Sequence, residues 1–169
     1  MRFNLKASVA AVALSLVVGC ESQPKTASVA NTPDPVKTAL TKAAGGNEIE
    51  KIEKETENGK TVYEAEFDVG DVDHSVTVDE TGKVIEEEAE VKVADLPPAV
   101  SAAALKAQPR AQVEEASLVK KDGQSYYEVD AKVGEDKHEL SIAADGKLIA
   151  DKVEAKDHDG DKHDAEDKD

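Results

Sequence analysis

The chain has 169 residues, 37 acidic against 21 basic, and a formal net charge of -16 at pH 7. That charge excludes a nucleic-acid binder, which needs a basic surface, and the single Cys excludes an internal disulfide and a cysteine-based zinc site. Aromatic residues make up 3% and Trp is absent, so any core must be built from Val, Ala, Leu and Ile.

Residues 1–19 place Arg2 and Lys6 before an apolar run from Ala7 to Val18 and then Gly19. Early cations, an apolar stretch of about a dozen residues and a small residue describe a secretory signal. The run is shorter than the roughly 20 apolar residues of a spanning helix. Cys20 follows at once, and Leu16-Val17-Val18-Gly19-Cys20 resembles the bacterial lipobox, whose cysteine is freed by cleavage and acylated. A lone thiol in an exported protein is otherwise unexpected. The expected partner of Cys20 is therefore the membrane, reached through a lipid anchor on the exported side. Glu21, where Asp would mark inner-membrane retention, points to the periplasmic face of the outer membrane. Residues 20–32 are Ser-, Thr-, Pro- and Ala-rich without apolar periodicity and read as a flexible tether.

The middle of the chain is written twice. An ungapped offset of 64 residues aligns 33–86 with 97–150 and keeps fifteen of the 54 residues identical, among them Val36/Val100, Tyr63/Tyr127, His74/His138 and Gly82/Gly146. Two copies make a tandem, with one unit over 33–96 and the other over 97–156. In the first, Asp34-Pro35 can open a helix whose Val36, Ala39, Leu40 and Ala43 share one face, and Gly45-Gly46 stops it. A weak strand over 49–56 leads to Asn58-Gly59, a hairpin signal. Tyr63, Ala65, Phe67 and Val69 then alternate with Glu64, Glu66 and Asp68, the pattern of a strand with one buried and one wet face. Gly70 marks a turn, Val76 and Val78 a further strand, and Thr81-Gly82-Lys83 a tight turn into a last strand from Val84.

The second unit repeats this order. Pro97-Pro98 opens a helix bearing Val100, Ala103, Ala104 and Ala107 on one face, and Pro109 ends it. Strands follow over 113–121, from Tyr127 through Val133, at Leu140 and Ile142, and from Leu148, with turns at Asp122-Gly123, Gly134 and Asp145-Gly146-Lys147. The expected fold is α+β: two tandem repeats, each one N-terminal helix packed on an antiparallel sheet of about four strands. Units of about 60 residues are near the lower limit for independent folding, so the two should pack together. Residues 157–169 carry acids, lysines and histidines but no large apolar side chain and read as a disordered tail.

Leu96-Pro97-Pro98-Ala99-Val100, Asp122-Gly123 with Tyr126-Tyr127-Glu128-Val129, and Asp145-Gly146-Lys147-Leu148-Ile149 together resemble the PepSY-like domain family, also described as β-lactamase-inhibitor-like. The first unit carries a weaker version: Asn58-Gly59, Val62-Tyr63-Glu64-Ala65 and Thr81-Gly82-Lys83-Val84-Ile85, without the Leu-Pro opening. The resemblance spans 33–153. It implies an extracytoplasmic α+β module without catalytic residues or cofactor, and its relatives among protease propeptides imply binding or inhibition of a secreted enzyme.

No nucleophile elbow, HExxH, phosphate loop or dinucleotide fingerprint occurs. His74 and His138 occupy equivalent positions and read as duplicated strand residues in preference to a metal pair. His158 and His163 stand among Asp157, Asp159, Asp161 and Asp164, where His158, His163, Asp159 and Asp161 are weak metal candidates. The spacing is not that of an EF-hand, because Lys162 and Lys168 fall where Gly and Glu are required. Residues 33–96 hold 18 acids against 7 bases, and 97–156 hold 11 against 9, so the first unit carries most of the negative field. The expectation is a non-catalytic, lipid-anchored binding module that partners an envelope protein, with a cation-binding envelope protein as the alternative.

Overall fold

A computed structural model describes residues 25–27 and 32–153. Cys20 and the tail candidates His158, His163, Asp159 and Asp161 lie outside the described residues.

Helix α1 (Asp34–Ala44) begins after Pro33, the carbonyl of which accepts from the Lys37 N–H at 2.9 Å. Asp34 is thus the first helical residue and not the cap: Pro33 takes the cap position without a side-chain bond. Gly45, at φ 61°, closes the helix. Helix α2 (Pro98–Ala107) follows Pro97 in the same way and ends at Gln108, before Pro109.

The strands are β1 (Lys25–Ala27), β2 (Ile49–Glu57), β3 (Lys60–Val69), β4 (Val72–Asp79), β5 (Val84–Glu90), β6 (Gln112–Lys121), β7 (Gln124–Val133), β8 (Asp136–Ile142) and β9 (Leu148–Val153). A short 3-10 turn, Val93–Asp95, precedes α2. The helix and four strands expected of each copy are all present. The expectation of two separate four-stranded sheets is corrected, because the nine strands form one antiparallel sheet in chain order. The reason is the seam: β5 pairs with β6, and Glu87 and Glu86 meet Lys120 and Lys121 across it, the first pair at 3.5 Å. Each copy alone would leave this edge open, and the pairing closes it. Within residues 20–32, expected as a tether, Lys25–Ala27 pair with Lys54–Ile52 as an edge strand.

Register shows that both helices lie on the same side of the sheet. Tyr63, Ala65 and Phe67 oppose Val78, Val76 and His74, and the same side continues through Ala89 and Glu87 to Leu118, Lys120 and Ala116, then to Tyr127, Val129 and Ala131. Val36, Leu40 and Ala44 of α1 pack on Ile52, Ala65, Phe67 and Val78. Val100 and Ala104 of α2 pack on Ala116, Val129, Leu140 and Ile142. Tyr63 joins the first core and Tyr127 flanks the second, as the alternation predicts.

Each helix is set against its sheet by the turn glycine of its own unit. A Cβ on Gly82 would stand 2.5 Å from the Pro35 carbonyl oxygen, and one on Gly146 2.8 Å from that of Ala99. Both glycines also have positive φ, so no other residue meets both demands cheaply.

Candidate functional site

The helix-free side of the sheet is lined by carboxylates and hydroxyls. Strand period puts every second residue there, and antiparallel register aligns them in rows with neighbours about 5 Å apart. One row runs Glu53, Glu64, Thr77, Glu86, Lys121; the next runs Lys51, Glu66, Ser75, Glu88, Val119, Tyr126. A third holds Glu90, Ser117, Glu128 and Ser141. Acids of β3, β5 and β7 therefore alternate with the short hydroxyls of β4, β6 and β8.

This face was expected to be wet, and its centre is not. Glu64, Glu88 and Glu128 are 6%, 7% and 5% exposed, and Val119 beside Glu88 is fully buried. Joining the two sheets turns β5 and β6 from edges into interior strands, so that Glu86, Glu88 and Ser117 gain neighbours on both sides. The alternation in the sequence named the face but not its burial, which for Glu86, Glu88 and Ser117 depends on a pairing between units.

Neutralisation across the face is uneven. Toward β9, Asp130 meets Lys137 at 2.6 Å and Glu139 meets Lys152 at 2.8 Å, while Glu86 pairs with Lys121 at the seam. Toward β2, acids outnumber cations. Burial, with Glu55, Glu66 and Glu53 nearby, pushes the Glu64 carboxyl up to about 7 against one hydrogen bond from Ser75. Burial and the adjacent Glu128 and Glu86 push Glu88 up to about 9. Burial likewise raises Glu66, and Tyr126 is raised by burial and by Glu86 and Glu128. Such a group loses free energy by ionising in place and would regain it from a cation brought alongside.

Among the described residues one acidic trio has metal-ligand spacing: Glu53, Glu55 and Glu64 offer oxygens within 4.8 Å of one another. None of the three was singled out from sequence, because acids are too abundant there for any one to stand out.

The duplicated histidines are not brought together. His74 and His138 sit on β4 and β8, four strands apart and so roughly 19 Å at the usual spacing. His74 stacks on Phe67 with ring centroids 5.8 Å apart, beside a cavity of about 280 Å³ over the seam that Glu87, Leu118 and Lys120 also line. His138 Nδ1 lies 2.8 Å from Asp151 Oδ1 and 3.1 Å from Gln108 Nε2, which also donates to Asp151 Oδ2 at 2.8 Å. These contacts tie the end of α2 to β8 and β9, a structural role.

Residues 32–88 match the PepSY family, peptidase propeptide and YPEB domain. The resemblance read from the motifs is therefore borne out, although the match falls on the first copy and the stronger motif likeness had been read in the second. No curated protein matches the chain. Among solved structures, a DUF2874 family protein from Bacteroides uniformis is 19% identical with a TM-score of 0.61, covering 72% of this chain and 89% of its own. A BLIP-like protein from Bacteroides fragilis is 20% identical with a TM-score of 0.59, covering 75% and 90%. A DUF2874 family protein from Bacteroides ovatus is 16% identical with a TM-score of 0.60, covering 73% and 88%. At these identities the likeness establishes the shared α+β fold.

Proposed function

We propose that this PepSY-like chain is a non-catalytic binding module, anchored at Cys20 to the outer membrane and facing the periplasm, that captures a basic surface of an envelope protein on its helix-free sheet face. The observation that carries the reading is the under-neutralised carboxylate field around Glu64 and Glu88, where burial and like charge oppose ionisation. A lysine- or arginine-bearing partner relieves that opposition and gains affinity from it. The two cores are filled largely by Ala, Val and Leu, and what duplication preserved is scaffold: turn glycines, helix-face alanines and strand apolars. Catalysis needs a set of positioned groups in a pocket, and the matched residues supply none. Inhibition of a secreted or envelope enzyme is the form such capture takes in the PepSY resemblance.

The test is a pull-down from detergent-solubilised envelope with the full-length protein and its Glu64→Gln/Glu88→Gln variant. The variant keeps the shape but has no carboxyl that could ionise beside a partner's cation. It should be at least as stable as the parent and retain about tenfold less partner. Equal retention by the two proteins, at low and at high salt alike, contradicts the reading.

A second reading is favoured by the Glu53, Glu55 and Glu64 trio: a cation-binding envelope protein whose all-oxygen donors suit a hard ion such as calcium. Calorimetry with calcium and zinc, on the whole chain and on the chain lacking residues 157–169, separates sheet binding from tail binding. Absence of heat from both proteins removes this reading.

A further inference from the structure

The duplication makes each edge of one unit comparable with an edge of the other. Strand β5 ends the first unit and β9 ends the second, and an offset of 64 residues sets Val84, Ile85, Glu87 and Ala89 against Leu148, Ile149, Asp151 and Val153. The local geometry is the same. Val78 opposes Val84 and Ile142 opposes Leu148, each pairing following a one-residue bulge. Yet the outer edge of β5 carries β6, whereas among the described residues nothing pairs with the outer edge of β9.

We infer that the outer edge of β9 is a strand-acceptor site, and that its occupant is an extended, uncharged segment of another polypeptide with an apolar side chain at every second position. This goes beyond capture on the sheet face: it uses a different surface and a different kind of contact, main-chain pairing at a sheet edge.

The chemistry of the occupant follows from what the edge leaves unsatisfied. At β5 the edge acids Glu86 and Glu87 pair, among the described residues, with Lys121 and Lys120 of the incoming strand. At β9 the edge polar groups are already bonded from inside, Asp151 to His138 and Gln108 and Lys152 to Glu139. What remains is apolar: Leu148, Ile149 and Val153 are 41%, 51% and 59% exposed.

The adjoining surface has changed in the same direction. Where α1 turns Thr38 and Thr41 outward, α2 turns Ala102 and Leu105, the latter 52% exposed. A groove of about 640 Å³ runs between Ala102, Ala103 and Lys106 of α2 and Gly146 and Leu148 beyond them. It meets the β9 edge at Leu148, where the helix-side residue at that end of an added strand would lie beside it. Exposed apolar side chains on an unpaired edge are a hazard that proteins usually blunt with charge, and on β9 only Asp151 and Lys152 interrupt them. The sixteen residues 154–169 offer only Ala155 and Ala165 as apolar side chains, so that segment does not supply the alternating strand.

The probe is a peptide with the β6 sequence, 112–121, in which Glu114 and Lys120 are replaced by valine and Glu115 and Lys121 by threonine, so that it is uncharged in its side chains and apolar at alternate positions 114–120. Amide hydrogen exchange is followed in the full-length protein at millimolar peptide. Exchange at alternate amides of β9 should slow about tenfold, with β2 unchanged, and Val153→Glu should weaken peptide affinity about tenfold without lowering the unfolding midpoint. Three results overturn the inference: unchanged exchange in β9, equal affinity for Val153→Glu, or protection of β9 that rises with protein concentration in the absence of peptide. The last would make the occupant a second copy of this chain.

Discussion

Replacing Glu64 by Gln should stabilise the protein, and only above mildly acidic pH. Glu64 is 6% exposed, between Glu53 and Thr77 on the neighbouring strands, and its carboxyl is raised from 4.5 to about 7 chiefly by burial. A raised value means that the folded state holds the proton more tightly than the unfolded chain. The stabilisation is then complete below about pH 4.5 and is lost as pH rises through about 7. At about 1.4 kcal/mol per pH unit, the folded state is penalised by about 3 kcal/mol once Glu64 ionises. Gln keeps the shape and can still bond Ser75 but has no charge to bury. Urea unfolding near pH 5 and near pH 8 should show the parent weakening between the two, and Glu64→Gln recovering about 3 kcal/mol at the upper value and little at the lower. The raised value of Glu88, about 9, extends the decline further into alkaline pH. A parent that grows more stable from pH 5 to 8, or a variant with the same pH dependence as the parent, refutes the reasoning.

Phe67 is 4% exposed in the first core, and Phe67→Ala should destabilise by about 3–5 kcal/mol in the same unfolding assay; Glu66→Ala, on the opposite side of the strand, should change stability by less than about 0.5. Equal effects would reverse the face assignment. Gly82→Ala combines a left-handed backbone with contact against the Pro35 carbonyl and should lose about 2 kcal/mol or more, whereas Gly70→Ala, at φ 68° in open space, should lose about 1, both read from urea midpoints. Cys20→Ser should release the protein from membranes on fractionation, and mass spectrometry should find an acylated Cys20 at the start of the mature parent chain; membrane retention of the variant removes the anchor from the account.

Local order was legible because local chemistry sets it. Pro35 and Pro98 fix helix starts, the glycines after Asn58 and Asp122 fix hairpins, and Tyr63-Ala65-Phe67 and Tyr127-Val129-Ala131 fix the core side of β3 and β7. The union of the sheets was not legible. It depends on β5 meeting β6 across the intervening α2, and nothing in the sequence marks Glu86-Glu87 and Lys120-Lys121 as complementary until the register sets them opposite each other. The candidate site followed the same rule. Period two put Glu64 and Glu128 on the polar side without showing how deeply they are buried, and Glu88 is enclosed only when β6 of the second unit pairs with β5. Neither the seam nor the acidic trio of Glu53, Glu55 and Glu64 has a sequence motif, because its members meet only through strand pairing.

The claim at the centre of this account is that the carboxylate face, and not the helix face, meets the partner. A photo-reactive amino acid placed singly at Glu66 or Tyr126 on the carboxylate face, or at Thr41 on the outer side of α1, addresses it in intact cells. The account predicts one discrete cross-linked species from Glu66 and Tyr126, none from Thr41, and loss of that species when Glu64→Gln/Glu88→Gln is added. A cross-link from Thr41 alone, or a Glu66 cross-link indifferent to the loss of those two carboxyls, would contradict it.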